Sequence, residues 1–363
     1  QKTHRLKMSL ESTKRWVGLG RYYAMFQRGY AEEKVRKLTK KGDWVLDPFL
    51  GRGTTSFAAA SLGRNALGCE INPVGWIFAK TKADPADEES LEARLAFIAK
   101  KARERKDTST KAEFFHACYR PNVLAFLETA RETLDWRQRK TDWTLASFIA
   151  MAMQTARTNG LSNQLQETKA MGPAYAIRWW EQRGLTPPEV DPEGILLAKI
   201  KRRYKLGPPP MTGHSIRLGD SVKILPEWAE PHGGRCSLLL TSPPYLGVCN
   251  YHSDQWLRLW LLGENGEHPD WKKEKNKDRF TDPQEYEDLL RKVFTRSKEL
   301  MRAGGAVCVK TDTRKRTLEI TKKVLKEIFG KIRETEDPFR AKTQTELYNG
   351  ESSRGEIELN GRA

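Results

Sequence analysis

Apolar residues in this chain come in short bursts, each about as long as a buried strand needs, separated by longer polar stretches. Trp44-Val45-Leu46 follows the basic turn Lys40-Lys41-Gly42-Asp43 and ends in Asp47-Pro48, which predicts a short strand. Residues 21–41 ahead of it read as a helix leading into that turn. After the strand, Phe49-Leu50-Gly51-Arg52-Gly53-Thr54-Thr55 is a glycine turn with threonines where a helix is capped. Helix formers fill 54–62, Gly63 stops them, and Asn65-Ala66-Leu67-Gly68-Cys69 predicts a second strand ending in Glu70-Ile71-Asn72-Pro73. From about 85 to 205 the pattern turns helical and polar, closing on Pro187-Pro188 and Pro208-Pro209-Pro210. The strand pattern resumes at 215–218, before Gly219-Asp220, and at Ser237-Leu238-Leu239-Leu240, which runs into Thr241-Ser242-Pro243-Pro244-Tyr245. An amphipathic helix over 284–302, a strand over 306–309, a helix near 317–329 and strand-like pieces at 331–336 and 355–360 complete the alternation. Such alternation predicts an α/β fold with a mainly parallel sheet covered on both faces. The expected organisation is residues 1–84, a helical insert over 85–212, and residues 213–363.

Composition narrows the class. With 363 residues, 38% hydrophobic and 31% charged, the chain is long enough for one large domain or two ordinary ones and is not disordered. No apolar run approaches the roughly 18 residues of a membrane helix, and the first residues lack the apolar segment of a signal peptide. No membrane partner is therefore expected. Cys69, Cys118, Cys236, Cys249 and Cys308 are scattered and form no Cys-x-x-Cys pair. This points to a reducing, cytoplasmic setting without disulfides or a bound metal.

The net charge is +17, and residues 1–41 alone carry 12 Lys or Arg against 3 Glu. Residues 85–212 carry 21 against 16, while 213–263 are balanced. A basic surface attracts polyanions, nucleic acid first among them, although it also serves simply as a solvated face.

Two turns carry candidate chemistry. Gly51 and Gly53 leave backbone open to a ligand at the end of a strand, and the following helix start offers free N–H groups with the Thr54 and Thr55 hydroxyls. Glu70, 17 residues beyond Gly53, ends the second strand where it can accept hydrogen bonds from ribose hydroxyls. Dinucleotide, mononucleotide and S-adenosylmethionine sites all fit this half. In the other turn, two prolines directly after an apolar strand cannot continue a ladder and fix the chain rigidly at the strand end. Ser242, the Pro243 carbonyl and the Tyr245 ring would suit a flat heterocycle bearing an amino group, with Pro244 completing the turn.

DPFLGRGTT, GCEINP and TSPPY resemble motifs I, II and IV of the S-adenosylmethionine-dependent DNA amino-methyltransferases. RYYAMF at 21–26 is similar to the stretch before motif I, the segment from Ile216 to Asp220 to an adenine-contacting strand, and Gly304-Gly305-Ala306-Val307 to motif VI. The resemblance covers residues 15–83 and 213–312, and is thin over the insert and the last 50 residues. It implies a Rossmann-like class I methyltransferase fold with a seven-stranded sheet, and S-adenosylmethionine as cofactor. Tyr23, Phe26, Asp47, Phe49, Gly51, Gly53, Thr54, Thr55, Glu70, Asn72 and Asp220 would hold that cofactor.

The resemblance further implies methyl transfer to an amino group of a flipped-out base in double-stranded DNA, without a covalent enzyme intermediate. Ser-Pro-Pro-Tyr is typical of N4-cytosine enzymes and favours cytosine N4. Adenine N6, an RNA amino group and a catalytically silent DNA-binding subunit are the alternatives. A cognate restriction endonuclease is an implied partner. In such a motif order the insert often supplies target recognition. That makes Arg178, Trp179, Trp180, Arg183, Lys201, Arg202 and Arg203 candidate DNA contacts, though paired tryptophans are usually core. Asn250, Tyr251, His252 and Asp254, just past Tyr245, are candidates for lining the base pocket.

Overall fold

Seven strands form a single sheet in the order β3-β2-β1-β4-β5-β7-β6. They are β1 (Trp44–Asp47), β2 (Asn65–Glu70), β3 (His214–Leu218), β4 (Cys236–Thr241), β5 (Met301–Asp312), β6 (Arg333–Glu336) and β7 (Glu356–Arg362). The computed structural model describes residues 11–21, 28–110, 112–155, 159–247, 250–264, 280–336 and 356–363. The described residues fall into two compact units, one drawn from within Tyr23–Ala79, Pro210–Asn250 and Asn276–Ala363, the other from within Gln1–Tyr22, Lys80–Pro209 and Tyr251–Lys275.

The first unit is the sheet. Its first five strands run parallel, and β7 enters antiparallel between β5 and β6. Alternate residues divide between two apolar layers because successive side chains on a strand point to opposite faces. Val45, Ala66, Leu238, Leu240, Ala306 and Cys308 pack with Tyr30 and Val35 of α1 (Arg28–Leu38) and the alanines of α2 (Thr54–Ser61). On the other face, Leu46, Leu67, Leu239, Val307 and Leu359 meet α4 (Ser221–His232), α5 (Pro283–Leu300) and α6 (Lys315–Phe329). A helix α3 (Pro73–Ala83) follows β2. Strand order and the antiparallel β7 give the class I methyltransferase fold.

Boundaries shift where pairing overrides local pattern. The helix expected over 21–41 spans Arg28 to Leu38 in the described part. Strand β5 opens at Met301 rather than at 306, because Met301 already pairs with Cys236. The chain then makes a register shift over Gly304, at φ 72°, before Ala306 pairs with Leu238.

The second unit is helical. Between residues 85 and 212 it contains Glu88–Arg103, Glu113–Cys118, Pro121–Thr133, Lys140–Ala152, Pro173–Glu181 and Pro192–Tyr204. It also takes in the short helices Tyr251–Asp254 and Trp256–Leu261, which sequence alone groups with 213–363. Aromatic packing explains their place: Phe114 lies 4.9 Å from Trp256 and Phe115 lies 4.5 Å from Trp260, centroid to centroid. Arg258 is buried beside them, its guanidinium donating to the carbonyls of Ala150, Glu167 and Arg21. Among the described residues, no helix is long and apolar enough to cross a membrane.

Candidate functional site

Strands β1 and β4 are parallel neighbours, with Val45 beside Leu238 and Leu46 beside Leu239. Their carboxyl ends therefore emerge side by side, and the two turns singled out from sequence leave the sheet at one edge. A direct bond ties them, the Thr241 hydroxyl donating to Asp47 Oδ1 at 2.6 Å. Thr55 Oγ1, at the start of α2, donates to the Leu240 carbonyl at 3.3 Å.

The glycine turn is held open from beneath. Gly51 has φ 54° and Gly53 φ 78°, the left-handed region that glycine enters without strain. A Cβ at Gly53 would fall 2.7 Å from the Ala79 Cβ, whereas one at Gly51 would meet nothing within 4 Å. Gly53 thus serves close packing, and Gly51 leaves space above the turn. The Glu70 carboxylate accepts from Gly51 N at 2.6 Å with one oxygen and from Asn72 N at 2.8 Å with the other. The Asn72 side chain in turn accepts from Val74 N at 2.9 Å. Glu70 therefore shapes the loop, a duty that its place at a strand end does not reveal. Asp220 ends the β3 segment and caps α4, accepting from Val222 N at 2.9 Å.

Asp47 is 2% exposed and accepts from both Thr241 and the Phe49 amide. Burial pushes its carboxyl up to about 6, with the hydrogen bond from Thr241 pulling the other way. Phe49 is half-buried, while Thr54 and Thr55 are buried. Ile71, beside Glu70, is 55% exposed and offers an apolar surface at the end of β2. Its exposure was invisible in a motif read for its acid. Three carboxylates, Asp47, Glu70 and Asp220, thus gather at the ends of three adjacent strands. That set suits a ligand carrying positive charge and hydroxyls, and repels a pyrophosphate. The residues present fit S-adenosylmethionine, with its sulfonium, ammonium and ribose hydroxyls. Tyr23 and Phe26 lie outside the described residues.

The second turn begins with half-buried Ser242 and buried Pro243. Tyr245 is only 8% exposed, and its hydroxyl reaches Ser242 Oγ at 3.2 Å and Glu356 Oε1 at 2.8 Å. Burial, and next the Glu356 charge, hold the Tyr245 phenol well above its ordinary range. Thr241 and Glu356 escaped the sequence reading because each acts across the sheet. The thiols of Cys69, Cys236 and Cys308 are buried and each is pushed up to about 12, so none offers a thiolate nucleophile.

The candidate DNA contacts of the helical unit separate. Arg178, Arg183, Lys201 and Arg202 are exposed. Arg203 turns inward instead, donating to the Arg15 carbonyl, and burial lowers its guanidinium to about 10. Trp180 is core, with its indole donating to the Gln164 carbonyl at 3.1 Å, while Trp179 lies under the Arg183 guanidinium at 4.4 Å. Tyr251 is half-buried, and His252 and Asp254 are buried, Asp254 pairing with Lys169 at 2.9 Å. Placement inside the unit does not suit His252 to direct base contact.

The fold is that of a class I methyltransferase, and residues 4–74 match a family described as DNA methylase, of the N6/N4 type. Among curated relatives, the type II methyltransferase M.BsoBI of Geobacillus stearothermophilus is 41% identical over 63 residues, 16% of this chain and 12% of that protein. M.MjaII of Methanocaldococcus jannaschii is 30% identical over 94 residues, 26% of this chain and 18% of that protein. M.BglI of Bacillus subtilis is 38% identical over 80 residues, 19% and 23% respectively. The chain thus matches less than a quarter of the length of each of these relatives. The solved rRNA methyltransferase aviRa from Streptomyces viridochromogenes aligns over 93% of this chain and 86% of its own, at TM-score 0.34 and 11% identity. The sequence likeness is to the DNA amino-methyltransferases, and the cofactor it supports is S-adenosylmethionine.

Proposed function

We propose that this chain is a site-specific DNA methyltransferase that transfers the methyl group of S-adenosylmethionine to the exocyclic N4 amino group of cytosine. The observation that carries the reading is the adjacency of β1 and β4, which brings the glycine turn and the Ser242–Tyr245 turn to one sheet edge. S-adenosylmethionine supplies an electrophilic methyl on a positively charged sulfur. Gly51, Gly53, Thr54 and Thr55 would form its cradle, Glu70 would take its ribose, and Asp47, Phe49, Asn72 and Asp220 would complete the wall. Ile71 would give the adenine an apolar face.

The target cytosine leaves the duplex, since its N4 is otherwise paired and stacked. Its amino lone pair is conjugated with the ring and is a poor nucleophile. Acceptance of the amino hydrogens by Ser242 Oγ and the Pro243 carbonyl localises that pair, and Tyr245 supplies the aromatic wall of the base site. Displacement of the methyl by N4 would break the C–S bond as the N–C bond forms and would release an N4 proton to solvent, so no covalent enzyme intermediate is needed and positioning and electrostatic preorganisation would provide most of the acceleration. Arg178, Arg183, Lys201 and Arg202 contact the DNA backbone. A cognate endonuclease with the same recognition sequence is the partner such an activity implies.

Labelled S-adenosylmethionine with duplex DNA, followed by nucleoside analysis, tests the reading. N4-methylcytosine is expected. Label found solely in N6-methyladenine would move the target to adenine, label in RNA alone would move the substrate, and failure to bind the cofactor would leave a silent DNA-binding subunit.

A further inference from the structure

Behind the Ser242–Tyr245 turn runs a line of four polar groups. Ser242 Oγ lies 3.2 Å from Tyr245 Oη, Tyr245 Oη lies 2.8 Å from Glu356 Oε1, and Lys310 Nζ pairs with Glu356 Oε2. Lys310 is 1% exposed on β5, and its ammonium also stands 5.0 Å from the Tyr30 ring centroid. Neighbouring charges are internally matched, Lys34 with Glu358 and Asp312 with Arg314.

Chemistry gives the line a direction. A carboxylate only accepts, so the Tyr245 hydroxyl must donate to Glu356. With its one hydrogen committed there, the Tyr245 oxygen can only accept from Ser242. The Ser242 hydrogen then points back into the protein, and its free lone pairs face the other way. A charged terminus strengthens each bond of such a chain. This matters because a serine hydroxyl, unlike an amide or carboxylate oxygen, is donor and acceptor at once. Left to rotate, it would as readily offer its hydrogen to the amino nitrogen, tying up the lone pair that must attack.

We propose that Lys310, Glu356 and Tyr245 are positioning residues that fix Ser242 as a pure acceptor for the exocyclic amino group. The inference rests on the assignment of Ser242 to that amino group. Each member sits on the sheet unit, and the ammonium at the far end orients three hydroxyl and carboxylate groups in one sense. Tyr245 contributes through its hydroxyl as well as through its ring.

Tyr245→Phe, which keeps the ring, and Glu356→Gln, which keeps the shape, should each lower kcat by about 10-fold or more. KM for S-adenosylmethionine and for DNA should stay within about twofold of the parent, since the bond acts on the transition state rather than on binding. In a Ser242→Ala background, Tyr245→Phe should cost nothing further, because it acts only through that hydroxyl. An undiminished kcat in Tyr245→Phe, or an equal cost in both backgrounds, would overturn the relay. A second readout does not need turnover. In protein labelled with ¹³C at tyrosine Cζ, the Tyr245 resonance, identified by its loss in Tyr245→Phe, should move in Glu356→Gln and in Ser242→Ala. A resonance unmoved by both also overturns the relay. If the parent methylates no base, the assignment of Ser242 to an amino group fails, and the Cζ shifts still decide whether the hydroxyls are aligned.

Discussion

Asp47 carries a cost that its position makes useful. Its carboxyl, raised to about 6 by burial, keeps its proton in the folded protein over a range where the unfolded chain, near pH 4, has already released it. Between those values the native state binds more protons, so the free energy of unfolding falls as pH rises, by on the order of 3 kcal/mol in full. Above about pH 6 the fall is complete. Asp47→Asn should flatten that slope and leave the protein more stable than its parent at pH 7, as read from urea titrations between pH 4 and 7. A slope that survives the substitution would acquit Asp47. Much of this residue's setting was visible beforehand, because an acid ending an apolar strand before a glycine turn is a local pattern. Its partner Thr241 was not, for a bond across 194 residues leaves no trace in spacing. Lys310, a single cation inside the buried run Ala306 to Asp312, did leave a trace. A buried ammonium needs a partner, and here the partner comes from another strand.

Among elements, the turn between β1 and α2 is the most sharply specified. Gly53 combines a left-handed φ of 78° with an Ala79 Cβ only 2.7 Å from where its own Cβ would stand. Gly53→Ala should therefore cost roughly 1–3 kcal/mol through strain and crowding. The check is the urea midpoint, with the m-value unchanged; a parental midpoint would show that the turn relaxes freely. Strands β1, β2 and β4 were legible because continuous apolar runs suit a parallel sheet covered on both faces. Strand β7 was harder to read for its role. Its Glu356 and Glu358 alternate with Ile357 and Leu359, a pattern that ordinarily marks one wet face. Here the acid face is buried too, Glu358 being 1% exposed and paired with Lys34 at 2.5 Å. Pairing partners, rather than polarity, decided that burial.

On the scale of the whole chain, the charge of +17 predicts strong and salt-sensitive attraction to DNA. Lys201 and Arg202 are exposed near the end of the helix Pro192–Tyr204, whereas Arg203 beside them donates to the Arg15 carbonyl. Neutralising Lys201 and Arg202 together should reduce the slope of log affinity against log salt by about 2. Arg203→Ala should instead lower the melting temperature and leave the slope alone. An unchanged slope in the double variant would remove both residues from the DNA surface. Sequence alone could not part Arg203 from its neighbours, since three consecutive basic residues look alike until the helix is given a buried side.

The chain passes between its two compact units five times, near residues 22, 79, 209, 250 and 275. No single cut can therefore free either unit as an uninterrupted polypeptide. A recombination event that grafts a foreign helical unit must carry three separate gene segments together. The helical unit should accordingly change by point substitutions and loop changes more readily than by exchange as a whole module.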